Sequence, residues 1–259
     1  MLRFKIPGYK RTPLAYQRFL ARIFGIRVKI IGTPIQDRGA LMVSNHSSYL
    51  DILALGGVAR VSFVAKSEVA SWPLFGTFAR LQRTVFVERE RRSKTGESRD
   101  LMRERLLEGD VLVLFPEGTS DDGHRVLPFK SALMGAADSE IGKDTAGKPV
   151  YVPVQPVSVT YVSLHGIPMG RENRPLFSWY GDMELVDHLW EGLKTGPVDL
   201  VIEFHKPMTV DEVGGRKKLA VIAEDLVRRG QVRALAGMTG PTPPAQTPAS
   251  ARESARAAA

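Results

Sequence analysis

Short apolar runs alternate with stretches of helical periodicity along most of the chain. Consecutive apolar residues in runs of this length are typical of strands that are buried in a sheet. They occupy residues 40–44, 61–65, 84–87, 111–115 and 198–205, and residues 150–162 are β-rich although their prolines limit pairing. Apolar residues at helical spacing predict helices over residues 13–26, 51–56, 98–108 and 217–236. The alternation predicts an α/β fold, a single domain with a central, mostly parallel or mixed sheet flanked by helices.

The first predicted helix is amphipathic and basic. Its apolar side chains share one face, namely Tyr16, Phe19, Leu20, Ile23 and Phe24. Arginines occupy the opposite face, and no acidic residue precedes Asp37. Such a helix typically lies in a membrane interface, so residues 1–36 are predicted to form a basic membrane-docking segment. The alternative is that its apolar face packs on the rest of the domain.

Composition restricts the classes of protein that this pattern can represent. The chain has 259 residues, of which 43% are hydrophobic, and a formal net charge of +8. The absence of cysteine excludes disulfides, thiolate zinc sites and a cysteine nucleophile. We expect no membrane-spanning helix and no signal peptide, because the apolar runs are too short and too interrupted. Residues 37–237 are predicted to form the folded domain, and residues 238–259, rich in Pro, Ala, Thr and Ser, a disordered tail.

A histidine and an aspartate follow the first predicted strand. His46 and Asp51 are five residues apart, a spacing that would splay them by about 140° within one helix. If His46 instead lies in a turn before the helix, Asp51 can accept a hydrogen bond from Nδ1 and leave Nε2 free to remove a proton. The alternative is a structural histidine and an aspartate that stabilises a helix N-terminus.

A second group of polar residues follows the strand at 111–115. Pro116 forces a turn, and Gly118 permits close approach of the backbone to a ligand. Glu117 and the hydroxyls of Thr119 and Ser120 are predicted to bind a polar head group. Both groups are expected at strand ends, where α/β enzymes place their chemistry.

These segments resemble the glycerolipid acyltransferase family, which includes 1-acylglycerol-3-phosphate acyltransferases. Residues 45–51 (NHSSYLD) look like the NHxxxxD motif of that family, and residues 115–119 match its FPEGT motif. Residues 84–89 are similar to the second block of the family, and residues 152–154 to its fourth block. The four blocks stand in the family's order and cover about residues 40–160.

The resemblance implies a mechanism and a setting for the domain at 37–237. His46 would act as general base on an acceptor hydroxyl and Asp51 would orient it. The hydroxyl would attack the thioester of acyl-carrier protein or acyl-CoA directly, with no cofactor and no metal. Arg89 and Lys66 would hold an anionic group, and Glu117 and Gly118 would position a lyso-lipid acceptor. The protein would be peripheral on the cytoplasmic face of the bacterial inner membrane, with no nucleic-acid partner.

Two departures from the family pattern bear on the acceptor. Arg83 stands where the family often has glycine, and Ser120 stands where it usually has arginine, the better clamp for a phosphate. Residues 115–137, 166–171 and 179–182 look like a bacterial subgroup that includes lyso-ornithine lipid O-acyltransferases, whose acceptor has a zwitterionic head group. We therefore expect lyso-ornithine lipid to be the preferred acceptor and lysophosphatidic acid the second, with acceptance of both compatible with the sequence.

Aromatic residues after the strand at 61–65 suggest an acyl groove. Phe63, Trp72, Phe75 and Phe78 would line it, and core packing is the alternative. Two other classes of protein are alternatives. A hydrolase with the same histidine and aspartate would need a nucleophile, and the Gly-x-Ser-x-Gly element is absent from the sequence. A basic adaptor for nucleic acid or membrane would need a recognition module that the sequence does not display.

Overall fold

The computed structural model of the chain describes residues 12–72, 75–88, 95–238 and 240–243. The strands of the described chain are β1 (Ile26–Ile31), β2 (Ala40–Ser44), β3 (Ser62–Lys66), β4 (Val85–Val87), β5 (Val111–Leu114), β6 (Glu140–Lys143), β7 (Pro149–Tyr151), β8 (Val154–Leu164), β9 (Ile167–Pro168) and β10 (Val198–Phe204). The α-helices are α1 (Thr12–Ile23), α2 (Leu50–Val58), α3 (Phe75–Leu81), α4 (Thr95–Leu107), α5 (Leu185–Thr195), α6 (Val210–Val213) and α7 (Arg216–Leu235). Short 3₁₀ helices occupy Ser67–Ser71, Ser131–Asp138 and Arg171–Phe177.

The main sheet is mixed and mostly parallel, as the alternating pattern predicts. Its strand order is β1-β10-β8-β2-β5-β3-β4, and β9 pairs with β8. Along this path β10 and β8 are antiparallel, and the other neighbouring pairs are parallel. A small antiparallel hairpin, β6 and β7, lies outside the main sheet.

Helices cover both faces of the sheet and give the molecule two cores. Along β2 the side chains alternate between them, with Ala40 and Met42 in one core and Leu41 and Val43 in the other. The first core lies under α1, α2 and α5, and the second lies under α4 and α7. These four β2 side chains have no exposed surface, which explains why this strand is an unbroken apolar run.

The N-terminal segment differs from the helical pattern predicted up to residue 26. Helix α1 ends at Ile23, and Gly25 takes a left-handed φ of +63° that turns the chain into β1. β1 lies at the edge of the sheet, where it pairs with β10. Arg27 and Lys29 interrupt its apolar residues, so the segment lacks the pattern of a buried strand. Part of the predicted docking segment is therefore a strand of the main sheet.

Helix α1 packs on α2. Gln17 and Ala21 of α1 are buried, as is Phe24 directly after the helix. The side-chain Nε of Arg18 donates to the carbonyl oxygen of Gly57 at 2.7 Å. In the part of the chain that the structure describes, no helix is both long and apolar enough to cross a membrane. The predicted tail lies mostly outside the described residues.

Candidate active site

The two loops that carry the sequence motifs meet at one edge of the sheet. Because β2 and β5 are parallel neighbours, their carboxyl ends lie side by side. His46 follows β2 and Glu117 follows β5. The backbone N–H of His46 donates to Oε2 of Glu117 at 3.1 Å, so the loops are joined directly. The carboxyl edge of a parallel sheet is where ligands bind in α/β folds.

His46 and Asp51 form a hydrogen-bonded pair at this edge. Nδ1 of His46 lies 3.0 Å from Oδ2 of Asp51. His46 is in the turn before α2 and Asp51 is in its first turn, so the chain folds back and the condition for the predicted hydrogen bond is met. With the proton on Nδ1, Nε2 carries a lone pair and has no hydrogen-bond partner among the described residues. The histidine side chain is 20% exposed and the aspartate 1%, so the imidazole reaches solvent and the carboxylate does not.

The carboxylate of Asp51 is held from several sides. Oδ2 also accepts hydrogen bonds from the backbone N–H groups of Ser47 and Ser48, at 2.8 and 3.0 Å. Oδ1 accepts one from the hydroxyl of Tyr161 on β8, at 2.8 Å. Both carboxylate oxygens therefore accept hydrogen bonds, and these bonds fix the orientation of the carboxylate toward His46.

Tyr161 was not predicted as a site residue. It is buried, and its ring stacks on Phe177 with centroids 6.0 Å apart. Burial, and then the negative charge of Asp51, raises the pKa of Tyr161 well above its usual range. The phenol therefore stays protonated and donates to Asp51. The contact joins residues 110 positions apart, and no local sequence pattern predicts it.

Two further contacts hold the turn at His46. Nδ2 of Asn45 donates to the carbonyl oxygen of Val159 at 2.8 Å, and Oδ1 of Asn45 accepts from the backbone N–H of Val159 at 2.9 Å. The Asn45 side chain thus continues the pairing of β2 with β8 by one residue. The His46 ring stacks on Phe115, with centroids 4.0 Å apart and planes 16° apart. The imidazole is therefore held at its edge by Asp51 and on one face by Phe115.

Glu117 lies beneath the site and does not line it. Its side chain is buried, Oε2 accepts from the N–H of His46, and Oε1 accepts from the N–H of Leu127 at 3.0 Å. Burial raises the pKa of Glu117 to about 9. Contact with the acceptor, as the resemblance implies, would require these backbone bonds to be exchanged. The observed geometry gives Glu117 the task of holding two loops together.

The residues after Glu117 do reach the site. Gly118 has a φ of +77°, and a Cβ there would lie 3.1 Å from Nζ of Lys130, so the turn suits glycine. Thr119 is exposed at the site. The hydroxyl of Ser120 donates to the carbonyl oxygen of Trp179 at 2.5 Å and ties this loop to the segment before α5.

Of the two predicted anion-binding residues, one lies at the site and the other is outside the described residues. Lys66 ends β3 and is exposed at the site. Arg89 lies outside the described residues. Binding of an anionic group by either residue stays a prediction.

A large apolar cavity of about 890 Å³ opens beside His46. The four aromatic residues predicted for an acyl groove all line it: Phe63, Trp72, Phe75 and Phe78. Helices close its other sides, through Leu20 and Ile23 of α1, Phe24 directly after α1, and Leu189 and Leu193 of α5. Contacts across the fold bring α1 and α5 together at this wall. A cavity with apolar walls and one polar end is suited to an alkyl chain with a reactive head group.

Comparisons with known proteins agree with this geometry. The model of the Acyltransferase family matches residues 26–160. A lyso-ornithine lipid O-acyltransferase of Brucella abortus is 47% identical over 91% of this chain and 87% of its own length. The enzyme of the same name from Rhizobium meliloti is 41% identical over 84% of this chain and 73% of its own length.

Matches to a second activity are also found. A 1-acyl-sn-glycerol-3-phosphate acyltransferase of Neisseria gonorrhoeae is 38% identical over 40% of this chain and 41% of its own length. The crystal structure of a 1-acyl-sn-glycerophosphate acyltransferase from Thermotoga maritima superposes with a TM-score of 0.62. It is 27% identical and covers 93% of this chain and 86% of that one. With a histidine and aspartate pair at the mouth of an apolar cavity, and with this family match, the chain belongs to the acyltransferase family and is an acyltransferase.

Proposed function

We propose that the protein transfers a fatty acyl group from acyl-carrier protein or acyl-CoA to the hydroxyl of a lyso-lipid, with lyso-ornithine lipid preferred. The observation that carries the proposal is the free Nε2 of His46 at the mouth of an apolar cavity. The names of the relatives that cover most of the chain support this choice of acceptor. The reaction would give ornithine lipid and a free thiol.

The proposed reaction needs one base and no covalent enzyme intermediate. Nε2 of His46 takes the proton from the acceptor hydroxyl, and the oxygen attacks the carbonyl carbon of the thioester. The C–S bond then breaks, and the leaving thiolate takes the proton back from the imidazolium. Asp51 stabilises that imidazolium through Nδ1. Tyr161 and two backbone N–H groups hold Asp51 in place.

Replacement of the base tests this mechanism. His46→Ala is expected to lower the rate of acyl transfer by about 10²–10⁴-fold. His165→Asn is the matched control, because His165 is exposed, lies away from the cavity and has a φ of +53° that asparagine tolerates. The assay uses labelled acyl-carrier protein with each lyso-lipid in turn and identifies the products by mass spectrometry. A folded His46→Ala variant with the wild-type rate contradicts the mechanism.

Lysophosphatidic acid is the second candidate acceptor. The matches to the Neisseria gonorrhoeae and Thermotoga maritima enzymes favour it. Ser120 argues against a phosphate as the preferred group, because its hydroxyl donates to a backbone carbonyl and carries no charge. The assay above separates the candidates, since the products are ornithine lipid and phosphatidic acid.

We also propose that α1 attaches the protein to the cytoplasmic face of the inner membrane, where acyl-carrier protein and acyl-CoA are found. Phe19 and Ile23 are 61% and 51% exposed, one helical turn apart, and Arg22 is exposed between them. Apolar side chains flanked by arginine are typical of helices that lie in an anionic interface. This position would put the cavity wall formed by α1 next to the lipid.

Substitution of the exposed residues tests the attachment without removing core residues. Phe19→Ser with Ile23→Ser is expected to lower binding to phosphatidylglycerol vesicles and leave the fold intact. Val221→Ser with Val232→Ser is the matched control, because these valines are 68% and 60% exposed on α7, across the sheet. Equal vesicle binding by both double variants contradicts the proposal.

A further inference from the structure

Helix α5 has an apolar sector that the protein covers only in part. Leu189 and Leu193 of this helix line the cavity that opens beside His46. Because each residue turns an α-helix by about 100°, Val186 and Trp190 lie directly beside these two leucines on the helix surface. Val186 is 74% exposed and Trp190 is 61% exposed. The apolar surface of α5 therefore continues from the inside of the cavity to the outside of the protein.

The charged residues of α5 border this apolar sector on one side. Lys194 follows Trp190 by one turn, with its Nζ 6.0 Å from the centre of the indole ring, and it pairs with Glu191 at 2.6 Å. Asp187 and Glu191 lie on the side of the helix opposite the cavity leucines. Tryptophan is enriched where a membrane meets water, and a lysine beside it can keep its ammonium group among the lipid head groups. The pattern is that of a helix lying in a membrane interface.

Helix α1 forms another wall of the same cavity and has the same kind of surface. Its Leu20 and Ile23 line the cavity, and Phe19 and Ile23 are exposed outside it. Two helices that border one cavity thus each carry apolar side chains inside and outside. Exposed apolar surface of this kind marks a site of interaction. Because the proposed acceptor is a lipid, the surface that covers both helices must let a lipid enter the cavity, as a bilayer does.

We propose that α5 is a second membrane-docking helix, which inserts Val186 and Trp190 into the lipid interface beside α1. The proposal rests on the function proposed above, including attachment through α1, and adds the surface that completes the attachment. Helix α5 is tied to the turn that carries His46, because the hydroxyl of Tyr49 lies 3.0 Å from Nδ1 of His188. Contact of α5 with lipid therefore orients the cavity and the site together relative to the membrane.

Fluorophores on single cysteines test the proposal directly, because the sequence contains no cysteine of its own. Val186→Cys, Phe19→Cys and Val232→Cys are labelled and mixed with phosphatidylglycerol vesicles that contain a nitroxide-labelled lipid. We expect the lipid to quench the label at positions 186 and 19 but not at 232, which is exposed on α7 across the sheet. Quenching at 19 without quenching at 186, or equal quenching at 186 and 232, overturns docking by α5. Quenching at neither 19 nor 186 contradicts the membrane attachment itself, which keeps the two failures distinct.

Removal of the apolar side chains gives a second test. Val186→Ser with Trp190→Ser is expected to lower binding to the same vesicles by about tenfold to a hundredfold, as for one or two large apolar side chains kept out of the interface. The rate with acceptor dispersed in detergent should stay at the wild-type value, because neither residue lines the cavity. Val221→Ser with Val232→Ser is again the matched control. Vesicle binding equal to that of the control overturns the proposal, and so does a loss of rate in detergent that matches the loss in vesicles.

Discussion

Tyr161 supports the proposed base, His46, through Asp51, and Tyr161→Phe isolates that support. The substitution removes one hydroxyl from a buried ring and leaves the ring stacked on Phe177. It leaves Oδ1 of Asp51 without its 2.8 Å donor in a place where Asp51 is 1% exposed. A hydrogen bond to a charged group contributes about 1.5–3 kcal/mol. If that energy serves to hold Asp51 against His46, kcat falls by about tenfold to a hundredfold.

The effect on kcat and KM should differ. Tyr161 does not line the cavity, so KM for either substrate is expected to stay at the wild-type value. The pH profile should change as well. Without the donated hydrogen bond, the charge of Asp51 is less neutralised by its surroundings, so Asp51 stabilises the protonated His46 more strongly. The acidic limb of the rate profile therefore moves to higher pH.

The assay measures initial rates of acyl transfer between about pH 5 and pH 9, with urea unfolding in parallel. Tyr151→Phe is the control, because Tyr151 packs against the other core and its hydroxyl bonds no described residue. A Tyr161→Phe variant with wild-type kcat and an unchanged pH profile refutes the positioning role. A loss of stability alone, with kcat and the pH profile retained, would leave Tyr161 as a core residue only.

Two further predictions concern stability. The raised pKa of Glu117, about 9 against an ordinary value near 4.3, means that the folded state holds a proton that the unfolded state has lost. The free energy of unfolding should therefore fall as pH rises through this window, and Glu117→Gln should flatten the fall in urea titrations. Gly230→Ala would put a Cβ 2.1 Å from Oγ of Ser158, so we expect a loss of about 1–3 kcal/mol despite the better helix propensity of alanine. Gly192→Ala in α5, where nothing lies within 4 Å, should instead stabilise the protein by about 0.5–1 kcal/mol, and thermal melts of both variants check the contrast.

Buried strands were the easiest elements to predict. Every residue of β2 and β5 is buried, so both strands appear in the sequence as unbroken apolar runs. β1 was missed because it is an edge strand, and its exposed Arg27 and Lys29 remove the apolar pattern. Helix α5 was also missed, although Leu185, Leu189 and Leu193 recur at helical spacing.

The site was predictable where its contacts are local. His46 and Asp51 are five residues apart, so once His46 lies in the turn before α2 their hydrogen bond is a local contact. The contact of Tyr161 with Asp51 depends on which strand becomes the neighbour of β2, and no local sequence pattern predicts that strand order. Glu117 was predicted at the site, but burial and two backbone donors place its carboxyl group under the loop, a position set by the packing of residues 126–129.

The amide of Asn45 has a consequence for how acceptor choice can change. It continues the pairing between β2 and β8 by two hydrogen bonds, so the turn that carries His46 is fixed to the sheet. That turn cannot shift to suit a new substrate without breaking two hydrogen bonds in the core. The walls around it belong to helices and loops, where single side chains change at little cost to the sheet. A protein built this way can change the lyso-lipid that it accepts while His46 stays at one fixed point.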